Sequence, residues 1–85
     1  MPSWVPVRMR SGAIAAPGRV HAVLPGGLVI ESTWPWPRGA AVEVQLPAGP
    51  TVEVTIVGER GDVYVARLPS DSDAFVDELR TRIES

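Results

Sequence analysis

Arg8 and Arg10 are separated by Met9 alone, so along an extended strand both guanidiniums point to the same face. Placed side by side they offer bidentate hydrogen bonds to a phosphate or carboxylate; equally, they are ordinary solvated charges on a polar strand face. His21 is the single histidine. General-base chemistry needs a reacting group within hydrogen-bond reach, and the neighbours Val20 and Ala22 supply none. Asp71, Asp73, Asp77 and Glu78 gather carboxylates but lack the glycine and ligand cadence of a calcium loop. With no cysteine there is no thiolate for metal binding or nucleophilic attack, and no Cys/His cluster at ligand spacing. These residues predict neither an enzyme nor a metal site.

Two other stretches suit binding. In HAVLPGGLVI, residues 21–30, Pro25-Gly26-Gly27 joins two apolar strands. Adjacent glycines permit a tight turn and let a ligand or another chain approach the backbone, yet His21 is the only polar side chain around them. Trp34-Pro35-Trp36-Pro37 then sets two tryptophans in a proline-stiffened loop. Two outcomes are open for Trp34 and Trp36. They fold back to complete a thin core, or they stand in solvent as anchors for a protein partner, since tryptophan is enriched at binding hot spots. Trp4 poses the same alternative.

Short strands must position these groups. Nine prolines and eight glycines fall as punctuation between β-branched runs, the pattern of an all-β domain. Val42, Val44 and Leu46 alternate with Glu43 and Gln45, and Val52, Val54 and Ile56 with Glu53 and Thr55. Pro47-Ala48-Gly49-Pro50 between them is short enough for a hairpin loop. Six strands are expected, at about 4–10, 18–24, 28–33, 41–47, 51–58 and 62–68, with 11–18 as a loop or loose hairpin and 58–62 as a turn. From Pro69 the period changes. Phe75, Val76, Leu79 and Ile83 form one stripe of a helix over about 71–84, with Ser70, Asp71 or Ser72 as its cap, Ser70 and Asp73 forming a weak capping box, acids toward its start and Arg80 and Arg82 toward its end. Six short strands left open would expose their edges. The expected fold is therefore mainly β: one domain, 1–85, built as a six-stranded antiparallel barrel with one C-terminal α-helix.

Net charge is −2, and all eight basic residues are arginines dispersed among acids. A binder of long nucleic acid concentrates positive charge on one face, and no such block is present. No apolar run reaches membrane-spanning length, and the opening MPSWVPVRMR lacks the apolar core of a secretion signal. No membrane insertion and a cytoplasmic location are expected.

Taken in order, PVRMR, GRVHAVLPGGLVIES, PRGAAVEVQLPAG, VEVTIVGERGDVYVARL and LPSDSDAFVDELRTRI resemble the successive strands and closing helix of the PilZ domain, a bacterial β-barrel module best known as a receptor for cyclic di-GMP. The resemblance covers nearly the whole chain and rests on the order and spacing of the pieces. The family's ligand chemistry lies in Arg-x-x-x-Arg before the first strand and Asp/Asn-x-Ser-x-x-Gly at the second-strand turn. With the motif glycine on Gly27, Ala22 stands at the Asp/Asn position and Leu24 at the Ser position, while Arg8 and Arg10 have a different spacing inside the first strand. Charge-assisted hydrogen bonds contribute roughly 1.5–3 kcal/mol each, and each ~1.4 kcal/mol is tenfold in affinity. Losing several predicts no cyclic di-GMP binding at physiological concentrations. The resemblance then implies a cofactor-free adaptor acting through a partner protein in motility, type IV pili or exopolysaccharide output, with Trp34 and Trp36 as candidate contacts. The alternative is a true cyclic di-GMP receptor whose divergent site combines Arg8, Arg10, Gly26 and Gly27, helped by Arg19.

Overall fold

The computed structural model describes residues 4–84. Six strands precede one helix: β1 (Val5–Ser11), β2 (Ile14–Leu24), β3 (Gly27–Ser32), β4 (Ala41–Gln45), β5 (Thr51–Arg60), β6 (Val63–Arg67) and α1 (Asp73–Glu84). All paired neighbours are antiparallel, and the order β1-β2-β3-β6-β5-β4 closes on itself where β1 meets β4. The expected barrel with a C-terminal helix is present. Alternation builds it. Val5, Val7 and Met9 on β1, Val42 and Val44 on β4, and Val52, Val54 and Ile56 on β5 are buried, while the residues between them face outward. Full burial of each such side chain contributes roughly 1.5–3 kcal/mol, so a one-residue slip that turned a whole set to solvent is strongly disfavoured.

Several boundaries differ from the sequence expectation. Residues 11–18 take the hairpin alternative and form it tightly: β1 and β2 stay paired up to Ser11↔Ile14 across a Gly12-Ala13 turn, with Gly12 at φ 60°. A glycine in the first of two turn positions suits a hairpin turn whose twist matches the flanking strands. Pro17 is tolerated inside β2 because its backbone faces the side where β3 has ended; there the Ser32 hydroxyl donates to the Pro17 carbonyl at 3.2 Å. Likewise 58–62 is mostly strand. A bulge at Val57 lets β5 bend and keep pairing with β6 through Arg60, leaving only Gly61 and Asp62 as the turn. β4 stops at Gln45. The helix starts at Asp73 rather than 71, and of the three candidate caps Ser72 takes the position. Its carbonyl accepts the first helical bond from Val76 N at 3.0 Å, while its hydroxyl donates back to Pro69 O at 2.8 Å.

Because β1 runs against both β2 and β4, one end of the barrel gathers the starts of β1, β3 and β5 with the ends of β2, β4 and β6. The helix leaves β6 at that end and buries Phe75 and Leu79 in the common core, with Val76 and Ile83 half-buried. Arg82 ties it to the β4–β5 loop by donating to Pro47 O at 2.8 Å. The other end is crossed by residues 33–40, which link the non-adjacent strands β3 and β4. Trp36 drops from this crossover into the core and is only 2% exposed. With both ends plugged, the outer wall of the barrel is the surface that remains open.

Candidate functional site

The β2–β3 turn carries the backbone features that drew attention in the sequence. Leu24 pairs with Gly27, and Pro25-Gly26 makes the bend, Gly26 at φ 72°. A proline followed by a residue of positive φ is the type II turn pattern, which favours glycine at the second position. The Gly26 carbonyl accepts a hydrogen bond from Leu68 N at 2.8 Å, tying the turn to the end of β6. Gly27 has a separate reason. A Cβ there would lie 2.9 Å from the Ala66 carbonyl oxygen of β6. Both glycines are accounted for by the barrel itself.

A bulge at His21 determines what surrounds the turn. Register jumps from Val20↔Ile30 to Ala22↔Val29, so the inward position passes from Val20 to Val23, which packs on the core opposite Leu28. Ala22 and Leu24, at the positions where the resemblance places polar hooks, point outward, and Leu24 is 38% exposed. They open onto an apolar wall. Ala22 registers with Val29 and Val29 with Val65, while Val63, Val65 and Val57 are exposed beside them. Arg67, paired in register with Gly27, borders this wall. Sequence reasoning did not single it out, because only cross-strand register puts it next to the turn.

Arg8 and Arg10 share the outward face of β1 as expected, since Val7 and Met9 take the inward one. Arg10 sits 3.7 Å from Glu43, an exposed pair contributing little. Arg8 registers with Pro17 on one side and Gln45 on the other, and its side chain makes no hydrogen bond or ion pair among the described residues. It lines an open groove of about 590 Å³. Arg19 lies diagonally across β2 from Arg8 and stacks over Trp4, with its guanidinium carbon 4.8 Å from the ring centroid. His21 Nε2 lies 2.8 Å from Glu31 Oε1. The arginine pair and the glycine turn are not brought together. From Pro17, beside Arg8, to Leu24 is seven residues along β2, on the order of 20 Å at the strand rise.

The tryptophans divide between the two outcomes. Trp36 is core, whereas Trp34 is 40% exposed with its ring tilted 59° to Trp36 at 6.4 Å. A tight bend separates them, closed by Trp36 N donating to Trp34 O at 3.0 Å. Buried polar atoms hold the bend. Tyr64 OH donates to Trp34 O at 2.8 Å and accepts from Trp36 N at 3.2 Å, while Ser32 Oγ accepts from the Trp36 indole at 3.2 Å. Of the two, only Trp34 is available to a partner.

Among the described residues, no three His, Cys, Asp or Glu side chains converge as metal ligands, and no helix is long and apolar enough to cross a membrane. No family model, curated protein or solved structure matches the chain.

Proposed function

We propose that this chain is a PilZ-like protein-interaction module, an adaptor in bacterial cyclic di-GMP-type signalling that acts through a partner protein and not as the nucleotide receptor. The signalling context, with motility, pili or exopolysaccharide output as its setting, follows from the sequence resemblance. The observation that supports binding to protein is the wall beside the β2–β3 turn. Leu24, Val57, Val63 and Val65 are exposed there, where a nucleotide site would need donors and acceptors. Contiguous exposed apolar surface is typical of protein contact sites. A receptor built from Arg8, Arg10 and the turn would have to bridge roughly 20 Å of barrel wall, and the turn glycines are already explained without a ligand.

Two measurements test this. Calorimetric titration of the purified chain with cyclic di-GMP should show no heat of binding at micromolar nucleotide, and a low-micromolar affinity would overturn the adaptor role. Affinity capture from a bacterial lysate should then be compared between the wild-type chain and the folded variants Leu24→Glu and Val65→Glu. A partner retained by the wild type and lost by both supports the apolar wall; one retained equally by all three refutes it.

A further inference from the structure

We infer that the outer wall of β4, β1 and β2 is a second binding surface, taking an extended peptide that carries a carboxylate on an otherwise apolar segment. The groove of about 590 Å³ is lined chiefly by Pro6, Arg8, Ala15, Pro17, Gln45 and Pro47. Three of these are prolines, so the walls offer ring faces, and the proline nitrogens carry no N–H that must be hydrogen-bonded. At the centre stands Arg8, with Gln45 opposite it in register and no partner among the described residues. A guanidinium beside an amide can hold one carboxylate and one peptide group.

The charge in the groove selects the class of anion. Among the described residues Arg8 is the one charged side chain that lines it; Arg10, beside Glu43, and Arg19, stacked on Trp4, stand outside the lining. A polyphosphate or dinucleotide would call for several; a single side-chain carboxylate calls for one. The apolar walls favour aliphatic contacts on either side of that carboxylate. Because the groove is open along the wall, its occupant keeps one side in water. That suits an extended peptide, whose successive side chains alternate between the two sides, and does not suit a lipid tail. On this chain of net charge −2, the groove is lined by one arginine and no acid.

The site lies apart from the apolar wall proposed above. In the closed order β1-β2-β3-β6-β5-β4, β1 is diametrically opposite β6, so one surface can fail its test while the other stands. The test is amide chemical-shift mapping on the full isotope-labelled chain. The probe is the capped peptide Ala-Val-Glu-Pro-Val-Ala, with Gln-for-Glu and Lys-for-Glu analogues, acetate and cyclic di-GMP as further arms. The Glu peptide should shift the amides of Val7, Arg8, Ala15, Ala16 and Gln45 saturably, and more weakly as salt rises. The Gln analogue should bind about tenfold or more weakly, and Arg8→Gln, whose exposed side chain leaves the fold intact, should abolish that difference. Absence of these shifts at millimolar peptide overturns the inference, as does equal binding of the Lys analogue. Acetate binding as tightly as the peptide reduces the site to a small-carboxylate site and refutes the peptide. Cyclic di-GMP shifting the same amides at micromolar concentration overturns both this surface and the adaptor role.

Discussion

Replacing Gly27 with alanine tests whether the Gly-Gly turn belongs to the barrel or to a ligand. The added Cβ would sit 2.9 Å from the Ala66 carbonyl oxygen, closer than a carbon and an oxygen tolerate. That oxygen cannot swing away as a side chain would. It is part of β6, which is pinned to β3 by the pairs Gly27↔Arg67 and Leu28↔Ala66 and by the Leu68 N to Gly26 O bond. Relief therefore requires the two strands to part by a few tenths of an ångström against their ladder. Overpacking of this kind costs about 1–3 kcal/mol. In a domain of this size each kcal/mol lowers Tm by roughly 4–8 °C, so Gly27→Ala should melt on the order of 10 °C below wild type. Gly26→Ala meets nothing within 4 Å but forces a Cβ into φ 72°, a cost of roughly 1–2 kcal/mol. Gly58→Ala is the control: it has open space and no positive φ, so the lost unfolded-state entropy should stabilise it by about 0.4–1 kcal/mol. Thermal melts followed by circular dichroism read all three. A Gly27→Ala protein melting with the wild type would refute the packing account and reopen close approach of a ligand as the reason for the glycine.

The remaining predictions concern the two plugs. Trp36→Ala removes a buried indole at a cost of about 3–5 kcal/mol and should leave the chain largely unfolded by circular dichroism, whereas Trp34→Ala should stay folded and lose a component of iodide-quenchable emission. Ser32→Ala strips the Trp36 indole N–H of its acceptor and should lower stability by about 1–3 kcal/mol, seen as a lower urea midpoint with an unchanged slope. Arg82→Ala breaks the bond to Pro47 O and the pair with Glu78; a loss of about 1 kcal/mol is expected, with faster amide exchange concentrated in the helix.

The barrel was legible in the sequence where a strand has one wet face. Val42, Val44, Val52, Val54 and Ile56 alternate with polar residues, and Phe75, Leu79 and Ile83 keep the helical period, so burial repeats what the pattern states. It was not legible in residues 14–17, because Ile-Ala-Ala-Pro has no alternation and a proline usually ends a strand. Its acceptance depends on β3 stopping at Ser32, a fact of register and not of local sequence. The bulges at His21 and Val57 are equally silent, yet the first decides that Ala22 and Leu24 face outward. Trp34 and Trp36 sit in near-identical proline contexts. What separates them is a tight bend held by Tyr64 from β6 and by Ser32, and Tyr64 lies about thirty positions away in the chain.

Plugging both ends of so small a barrel has a consequence for what it can do. A helix over one mouth and Trp36 in the other leave the interior filled by buried side chains, so recognition falls to the outer wall. That wall is not uniform. Around β6 it is a field of valines with Leu24 at its margin; around β1 it is a proline-sided groove with one uncommitted arginine. Strand order sets these on opposite sides, too far apart to form one pocket and well placed to touch two different surfaces at once. An apolar contact supplies affinity with little orientation, and a single carboxylate–guanidinium contact supplies orientation with little area. The single variants Val65→Glu and Arg8→Gln, with their combination, separate a bridging module from a one-sided one. Two independent losses, each single change removing a different partner and the double variant both, are expected of a bridge, and loss of one and the same partner by either change would show that both walls serve one interface.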